Sequence, residues 1–491
     1  MNNTNKRPVS VAKAHYSDTF VSEHQSNPLI LALPERAAPK RMRQLLSVTV
    51  PNFDWTHLSK SDREERVRSI RNTRVMTKQH LDLYYDVYDM LRYGYVHRNP
   101  TVPQVVAWSY DVADSTIPLA EVDKPSIDAS AKPTTADAIF LTGFSGNGKS
   151  TMTEHLLFNL FPQVIEHDWT GFNEPQVVYL KVDLPHNATR TGLIERLLLE
   201  LDRVLLHTSF GLSHYAKSVK TKGGKYIDVE SMVDILVTVL IRHHVGLVVI
   251  DEFQNLQVAS QRYRLEVIQL FDELANRLYI PSIKIGTPDT IHIFDRNSRH
   301  KRRLGKPFEL NRFSDDKAWE RAMAALFAFQ PLDHPIPRDK AIEALLMKLT
   351  AGVPAYLFGL WEEGIIEAIR SGKERLSQTL LNKAFKQRFP LLRSATRNIN
   401  QGKKGRHTDL LTVQQYLDTG SNTVALKHLS LFAQQVEASG AAAEDVLKDI
   451  DEAVDTVDFS PGQHKQLDKI KQTLRQKKNQ LLGPQTIEHK S

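Results

Sequence analysis

Eight consecutive residues with the spacing G-x-x-x-x-G-K-S, Gly143–Ser150, are suited to binding phosphate groups. Glycines allow the backbone to curl so that its N–H groups surround an anion, and a helix beginning there adds the positive end of its dipole. Lys149 can then reach the β- and γ-phosphates of a nucleotide, and the Ser150 hydroxyl can bind Mg²⁺. The spacing predicts a nucleoside triphosphate site, the alternative being an ordinary glycine turn. The residues predicted to bind the nucleotide are Gly143, Ser145, Gly146, Asn147, Gly148, Lys149, Ser150 and Thr151.

Two acidic residues, Asp251 and Glu252, follow the apolar run 247–250. A buried strand that ends in two acids places them at the carboxyl edge of a sheet, where phosphates bind. Asp251 supplies the hard oxygen ligand that Mg²⁺ prefers. Glu252 is placed to orient and polarise a water for attack on the γ-phosphate. An apolar run before Asp-Glu is a weak signal alone, but with the phosphate loop it favours ATP hydrolysis over nucleotide storage.

Thr287 closes the next predicted strand, 283–285, within Gly286-Thr287-Pro288. If that strand lies between the two motif-bearing strands, the Thr287 hydroxyl can contact the attacking water or the γ-phosphate. A simple turn is the alternative interpretation.

Residues 296–303 contain five Lys or Arg, one His and no acid. Positive charge that enters a phosphoryl-transfer site from a neighbouring subunit stabilises the transition state. Arg302 or Arg303 can act in this way, and we count both as candidate catalytic residues. Contact with DNA and simple exposure to solvent remain the alternatives.

The elements around these residues have the order that such a site needs. Residues 138–142 read as a buried strand before the loop, and 151–160 have apolar residues at helical spacing after it. Strands and helices then alternate to residue 313, which indicates a parallel sheet with helical crossovers. We predict strands at 176–182, 246–250 and 283–285, helices at 193–206, 229–243 and 261–278, and a polar loop at 217–225.

The 491 residues contain no cysteine, which excludes disulfides and thiolate metal sites or nucleophiles. We find no signal-peptide pattern and no apolar run long enough to span a membrane, and therefore expect a soluble, cytoplasmic protein. The net charge is +7 and the pI about 9.2, and ten Lys or Arg against one acid lie between 373 and 406. Such clusters suit phosphate backbones or acidic partners, or form a solvated helix face.

Two local patterns lie between residues 59 and 110. Ser61-x-x-Glu64 matches a capping box, and a tyrosine stripe between residues 84 and 95 is more typical of packing than of ligand binding.

Six segments are predicted along the chain. The segments are a flexible basic arm (1–58), a helical N-terminal segment (59–110), a linker (111–136), an α/β ATPase core (137–313), a helical lid (314–370) and a basic helical C-terminal extension (371–491).

In this order the motifs resemble those of the AAA+ ATPases, a P-loop NTPase fold with a parallel sheet and a helical lid. More narrowly, the chain resembles the TnsC/TniB group of transposition regulators. The residues that carry this resemblance are the 247–256 run LVVIDEFQNL, the 285–289 run IGTPD, the Arg-Arg-Leu that ends at Leu304, and the upstream 91–100 run LRYGYVHRNP.

The resemblance implies an ATP- and Mg²⁺-dependent homo-oligomer, a ring or a helical filament, assembled on double-stranded DNA without strong sequence preference. Such proteins link a target-selection protein to the transposase. It implies that Lys149 and Ser150 bind phosphate and Mg²⁺, that Thr287 senses the γ-phosphate, and that Arg302 or Arg303 is an arginine finger. DNA contacts in this family come from basic loops, for which the candidates in this chain are Lys181, Lys217, Lys220, Lys222 and Lys225.

One position departs from the pattern. Many AAA+ lids place an arginine against the nucleotide near a Gly-x-Pro turn, whereas this chain has Ala355 after Gly352-Val353-Pro354. Slow turnover is therefore expected. A clamp- or helicase-loading ATPase acting on DNA is the alternative function, and a signalling ATPase that oligomerises without DNA is a third. The basic clusters argue against the third.

Overall fold

The computed structural model describes residues 8–50, 53–113, 136–257, 259–288, 290, 304–313, 316–390, 392–400, 426, 430 and 460–479. The strands are β1 (Val11–Lys13), β2 (Ala138–Thr142), β3 (Val164–Glu166), β4 (Pro175–Val177), β5 (Tyr179–Asp183), β6 (Leu247–Asp251), β7 (Ser282–Ile285) and β8 (Lys306–Glu309). The predicted linker beyond residue 113 lies outside the described residues.

Helices make up most of the remaining regular structure in these ranges. They are α1 (Pro28–Leu31), α2 (Pro39–Leu46), α3 (Lys60–Val67), α4 (Lys78–Val96), α5 (Pro103–Ala113), α6 (Lys149–Leu160), α7 (Arg190–Leu205), α8 (Tyr215–Ser218), α9 (Val229–Arg242), α10 (Gln261–Leu278), α11 (Asp316–Ala328), α12 (Lys340–Thr350), α13 (Pro354–Arg370), α14 (Gln378–Arg388), α15 (Leu392–Asn400) and α16 (Pro461–Asn479). Short 3₁₀ helices occur at Ser22–His24, Arg68–Asn72 and Phe253–Gln257.

The chain divides into two compact units. The α/β unit comprises Met1–Val48, Arg74–Gly143 and Gly148–Leu310, and the helical unit comprises Thr49–Thr73, Phe144–Asn147 and Asn311–Ser491. The predicted helical segment 59–110 is therefore divided, because α3 packs with α13 of the helical unit while α4 packs with α6 of the α/β unit.

A parallel five-stranded sheet of order β5-β6-β7-β2-β8 organises the α/β unit. Side chains alternate between its faces, as the twofold strand period requires. Val248 and Ile250 pack into a core with α5, α7, α9 and α10, whereas Leu247 and Val249 pack into a second core with α1, α2, α4 and α6. Helices therefore cover both faces, and the predicted fold class is confirmed.

A smaller three-stranded sheet has the order β1-β3-β4. The predicted strand 176–182 is thus two strands in two sheets, since β4 pairs with β3 and β5 pairs with β6. The sequence does not reveal this break, because only one residue, Val178, separates the two strands and no turn residue marks the boundary.

The prediction of a flexible arm at 1–58 is wrong for much of that segment. β1 pairs with β3, and the buried side chains of α1 and α2 include Leu29, Ile30, Met42 and Leu46. Their apolar surface stabilises the packing against α4 and α6. Residues 1–7 lie outside the described residues.

Two local predictions are tested next to this segment. The cap of α3 is Ser59 rather than Ser61, and its side chain accepts a hydrogen bond from the Asp62 backbone N–H. The tyrosine stripe of α4 is a packing surface, because Tyr84, Tyr88 and Tyr95 are buried in the core.

Candidate active site

The phosphate loop joins the end of β2 to the start of α6. Gly143, Gly146 and Gly148 have φ values of 150°, 85° and 84°. These values lie in the region that residues with a Cβ avoid, so the loop conformation selects for glycine. Gly148 is the residue immediately before α6, so the loop leads directly into a helix N-terminus, which is the end of a helix that favours anions.

Lys149 occupies the first position of α6. Its Nζ donates a hydrogen bond to the Gly143 carbonyl oxygen at 2.8 Å, so the side chain folds back along the loop. Ser150 follows in the first helical turn and is partly buried. Both residues have the placement that their predicted roles require, and the roles themselves stay predictions.

The tip of the loop, residues 144–147, packs within the helical unit. The Gly146 carbonyl oxygen accepts a hydrogen bond from the Ala355 N–H at 3.1 Å, and the Tyr356 hydroxyl donates to the Ser145 carbonyl oxygen at 3.3 Å. A Cβ added to Gly146 would lie 3.1 Å from the Ala355 Cβ and 3.2 Å from Val353 Cγ1. Burial raises the pKa of Tyr356, so its hydroxyl remains a proton donor. Position 355 thus contributes a main-chain donor where the resemblance leads one to expect a charge.

Asp251 ends β6 and is 4% exposed. Its Oδ1 accepts a hydrogen bond from the Glu252 N–H at 2.8 Å, and its Oδ2 lies 3.0 Å from Lys181 Nζ. Both carboxylate oxygens are therefore engaged by the protein.

Glu252 has a φ of 54°, a left-handed conformation that costs free energy for a residue with a Cβ. Burial raises the pKa of its carboxyl above the usual range, and the carboxylates of Asp251 and Asp183 raise it further. The ammonium groups of Lys149 and Lys181 act in the opposite direction. The side chain nevertheless keeps accessible surface. Backbone strain together with a perturbed carboxyl is typical of a functional position.

Thr287 follows β7, which lies between β6 and β2. The predicted role of Thr287 requires that its strand lie between the two motif-bearing strands, and this condition is met. Its side chain is 4% exposed, and its Oγ1 lies 3.4 Å from the Thr290 Oγ1. The neighbouring Gly286 N–H donates to the Leu141 carbonyl oxygen at 3.0 Å, which fixes the turn beside the strand that leads into the phosphate loop.

Lys181 does not have the placement predicted for a DNA contact. Its Nζ lies 2.8 Å from Glu154 Oε1 and 3.0 Å from Asp251 Oδ2, and only 16% of its side chain is exposed. Burial disfavours the ammonium, but the carboxylates of Asp251 and Glu154 outweigh this effect and raise the Lys181 pKa. These acids already balance the charge of Lys181, which argues against a contact between this side chain and DNA.

The other basic candidates differ in exposure. Lys217, Lys222 and Lys225 are exposed around the short bridge between Lys220 and Tyr226. Lys220 itself is ion-paired with Glu195. A role of these four lysines in DNA binding stays a prediction. Arg302 and Arg303 lie outside the described residues.

Sequence reasoning did not place Lys181 or Tyr356 at the candidate active site. Lys181 carried a signal, because a lysine inside an apolar strand beside the acidic strand end needs a nearby carboxylate. Tyr356 gave no such signal, since its contact with the loop tip depends on packing between segments far apart in the chain.

The donor set fits Mg²⁺. The described residues contain no group of three or more His, Cys, Asp or Glu arranged to hold an ion by themselves. Mg²⁺ on a nucleotide does not need one, because it keeps waters and takes one or two protein oxygens beside the phosphates. The Ser150 hydroxyl and the Asp251 carboxylate are hard oxygen ligands of the required kind.

Comparison with known proteins identifies an AAA domain at residues 132–294. This match, the strand order and the phosphate loop define an AAA+ P-loop fold. No curated protein sequence matches the chain. No helix in the described ranges is long and apolar enough to cross a membrane.

Three solved structures are similar to parts of the chain. A Walker-type ATPase of Pyrococcus abyssi is 16% identical, with a TM-score of 0.37, over 78% of this chain and 91% of that one. The Orc1 protein of Aeropyrum pernix in complex with DNA is 14% identical, with a TM-score of 0.36, over 78% and 84%. Cdc6p of Pyrobaculum aerophilum is 11% identical, with a TM-score of 0.35, over 69% and 79%.

Proposed function

We propose that this protein hydrolyses ATP at the site formed by the phosphate loop and the end of β6. One observation carries the proposal: the strand that leads into the loop with Lys149 and the strand that ends in Asp251 and Glu252 lie in one parallel sheet, with only β7 between them. This arrangement supports a shared site for the proposed phosphate-binding lysine, the proposed metal ligand and the residue suited to activate water. Separate binding and structural roles would not require this convergence.

Each residue then has a distinct task. Lys149 and the N–H groups at the start of α6 bind the phosphates. Glu252 orients the attacking water and accepts a hydrogen bond from it, while the Thr287 hydroxyl contacts the γ-phosphate or that water. Ser150 and Asp251 would hold Mg²⁺, which neutralises phosphate charge when it is bound.

The biological role that we propose is regulation of transposition on double-stranded DNA. The protein would oligomerise with ATP as a ring or filament and link a target-selection protein to the transposase. The motif resemblance supports this role, as do the exposed lysines 217, 222 and 225 and the net charge of +7. Arg302 or Arg303 would complete the active site of a neighbouring subunit.

Electron microscopy of the full chain with duplex DNA tests this role, with ATP, a slowly hydrolysed analogue and ADP in parallel. We expect rings or filaments on DNA in the triphosphate states and none with ADP. The Lys149→Ala variant should form none in any state. Nucleotide-bound monomers that do not assemble on DNA would instead favour a loader that awaits a partner ring, or a signalling ATPase.

Mixed oligomers test the arginine finger. An Arg303→Ala subunit keeps its own phosphate loop, and a Lys149→Ala subunit keeps its arginines. If the finger acts between subunits, mixing the two inactive variants should restore part of the ATPase rate. A mixture as inactive as its components would contradict action of Arg303 between subunits, and the same test with Arg302→Ala would follow.

A further inference from the structure

Lys181 links the two halves of the proposed ATPase site within the α/β unit. It extends from β5, and its Nζ lies 2.8 Å from the carboxylate of Glu154 on α6 and 3.0 Å from that of Asp251 on β6. Asp183 is a more distant third partner, at 4.0 Å. Helix α6 begins with Lys149 and Ser150, so one ammonium joins the phosphate-loop helix to the strand that carries the metal ligand.

Of the ion pairs that Lys181 forms, the pair with Asp251 is the most buried. Side-chain exposure is 16% for Lys181 and 6% for Asp251, against 42% for Glu154. Asp251 Oδ1 already accepts the Glu252 N–H, so Lys181 takes the remaining oxygen. A cation that approaches Asp251 therefore meets a positive charge in direct contact with the ligand oxygen.

From this geometry we infer that Lys181 is a positioning residue that orients Asp251 and lowers the affinity of the nucleotide site for divalent cations. The inference rests on the proposed ATPase function. Lys181 competes with the cation for Oδ2 while fixing the carboxylate plane. This favours contact through a metal-bound water, which Mg²⁺ readily keeps.

The surroundings leave room for the ammonium to move. Lys181, Glu154 and Asp183 line a cavity of about 560 Å³ beside β5. Glu154 and Asp183 can retain the ammonium when it moves away from Asp251. Glu154 therefore competes with Asp251 for the Lys181 ammonium. The more strongly Glu154 binds Lys181, the more available the Asp251 carboxylate becomes to a cation.

Two variants of the full chain should shift metal affinity in opposite directions. Lys181→Met keeps the length of the side chain and removes its charge, so the Mn²⁺ dissociation constant should fall about tenfold. Glu154→Gln weakens the competing partner and should raise that constant about threefold. Lys306→Met, which removes a lysine ion-paired with Asp86 elsewhere in the same unit, is the matched control and should leave the Mn²⁺ dissociation constant unchanged.

The measurement is titration of Mn²⁺, followed by electron paramagnetic resonance, with saturating ADP and no turnover. If Lys181→Met binds ADP normally with unchanged Mn²⁺ affinity, Lys181 is only a buried structural ion pair and the inference is wrong. If Lys181→Met does not fold, an unchanged Mn²⁺ affinity in Glu154→Gln has the same meaning. A wild-type chain that binds neither ADP nor Mn²⁺ would instead overturn the proposed function, and the inference with it.

Discussion

The backbone N–H of Ala355 donates a hydrogen bond to the carbonyl oxygen of Gly146, 3.1 Å away. The tip of the phosphate loop is therefore held by the main chain at the start of α13, immediately after Gly352-Val353-Pro354. A main-chain donor needs no charged side chain at position 355. The contact between position 355 and the loop tip is therefore made by the main chain alone.

Gly146→Ala should damage this contact. The φ of 85° is unfavourable for alanine, and the new Cβ would lie 3.1 Å from that of Ala355. The left-handed conformation alone costs about 1–2 kcal/mol, so nucleotide affinity should fall about tenfold in a titration with a fluorescent ATP analogue. Gly223→Ala is the control, because a Cβ there meets nothing closer than 3.9 Å. Equal affinities in both variants would contradict the prediction.

Lys149→Ala should remove nucleotide binding. The loss of a charged donor to the phosphates should weaken affinity about a hundredfold. Isothermal titration with ATP measures this loss, and Lys222→Ala, an exposed lysine outside the site, should retain wild-type affinity. Tight binding by Lys149→Ala would show that the phosphate loop is wrongly assigned.

Glu252→Gln should separate binding from hydrolysis. The amide keeps the size of the side chain but cannot accept a proton, so ATP should bind normally while steady-state turnover falls about a hundredfold or more. The proposed assemblies on DNA should then last longer, because in the proposed mechanism hydrolysis ends them. Wild-type turnover would remove Glu252 from the mechanism.

The raised pKa of Glu252 predicts two effects of pH. Activity requires the carboxylate, so the rate should fall on acidification from a pH above the usual carboxyl range. The folded state binds this proton more tightly than the unfolded state, so the charged form costs stability, and the cost appears as pH rises through the raised pKa. Glu252→Gln should therefore stabilise the chain relative to wild type at neutral pH but not at low pH. A stability difference independent of pH would contradict this assignment.

Arg63→Met should destabilise the helical unit. The Arg63 guanidinium forms two hydrogen bonds with the Glu374 carboxylate, at 2.9 and 3.1 Å, and both side chains are 8% exposed. Removing one partner leaves a buried charge alone, at a cost of about 3–5 kcal/mol in denaturant unfolding. Arg262→Met removes an ion pair whose arginine is 84% exposed and should cost less than about 1 kcal/mol. Similar costs for the two variants would contradict the role of the buried pair.

Replacing the three exposed lysines Lys217, Lys222 and Lys225 with alanine should weaken DNA binding. Each lost phosphate contact should reduce the slope of log K against log salt by about 0.9. Fluorescence anisotropy with duplex DNA at several salt concentrations measures the slope. Replacement of Lys60, Lys340 and Lys348, lysines of the helical unit with accessible side chains, removes the same charge and is the control. Equal slopes in the two triple variants would mean that net charge, rather than this loop, governs binding.

The sequence predicts the catalytic part of the α/β unit well because its signals are local. The glycines before Lys149 and the apolar runs before Asp251 and Thr287 each specify a strand and the turn that follows it. Right-handed parallel crossovers then leave few possible arrangements, and β7 lies between β2 and β6 as Thr287 requires.

The contacts that sequence reasoning missed depend on register and on distant packing. Lys181 reaches Asp251 because Asp183 is paired with Asp251 in the β5–β6 ladder, and a shift of one residue would turn Lys181 to the other face. Residues 8–50 read as polar and extended, yet a few apolar side chains are enough to fix α1 and α2 once α4 and α6 provide a surface.

The interleaved path of the chain has a consequence for synthesis. The excursion of residues 49–73 into the helical unit begins and ends at the antiparallel bridge between Val48 and Arg74. Arg63 in this segment cannot pair with Glu374 until that residue has been synthesised, 311 residues later. At about 5–20 residues per second, the delay on the ribosome is about 15–60 s. During that interval the nascent chain carries an unpaired Arg63 and an uncovered Val67 on α3, so chaperones have a defined period in which to bind this segment.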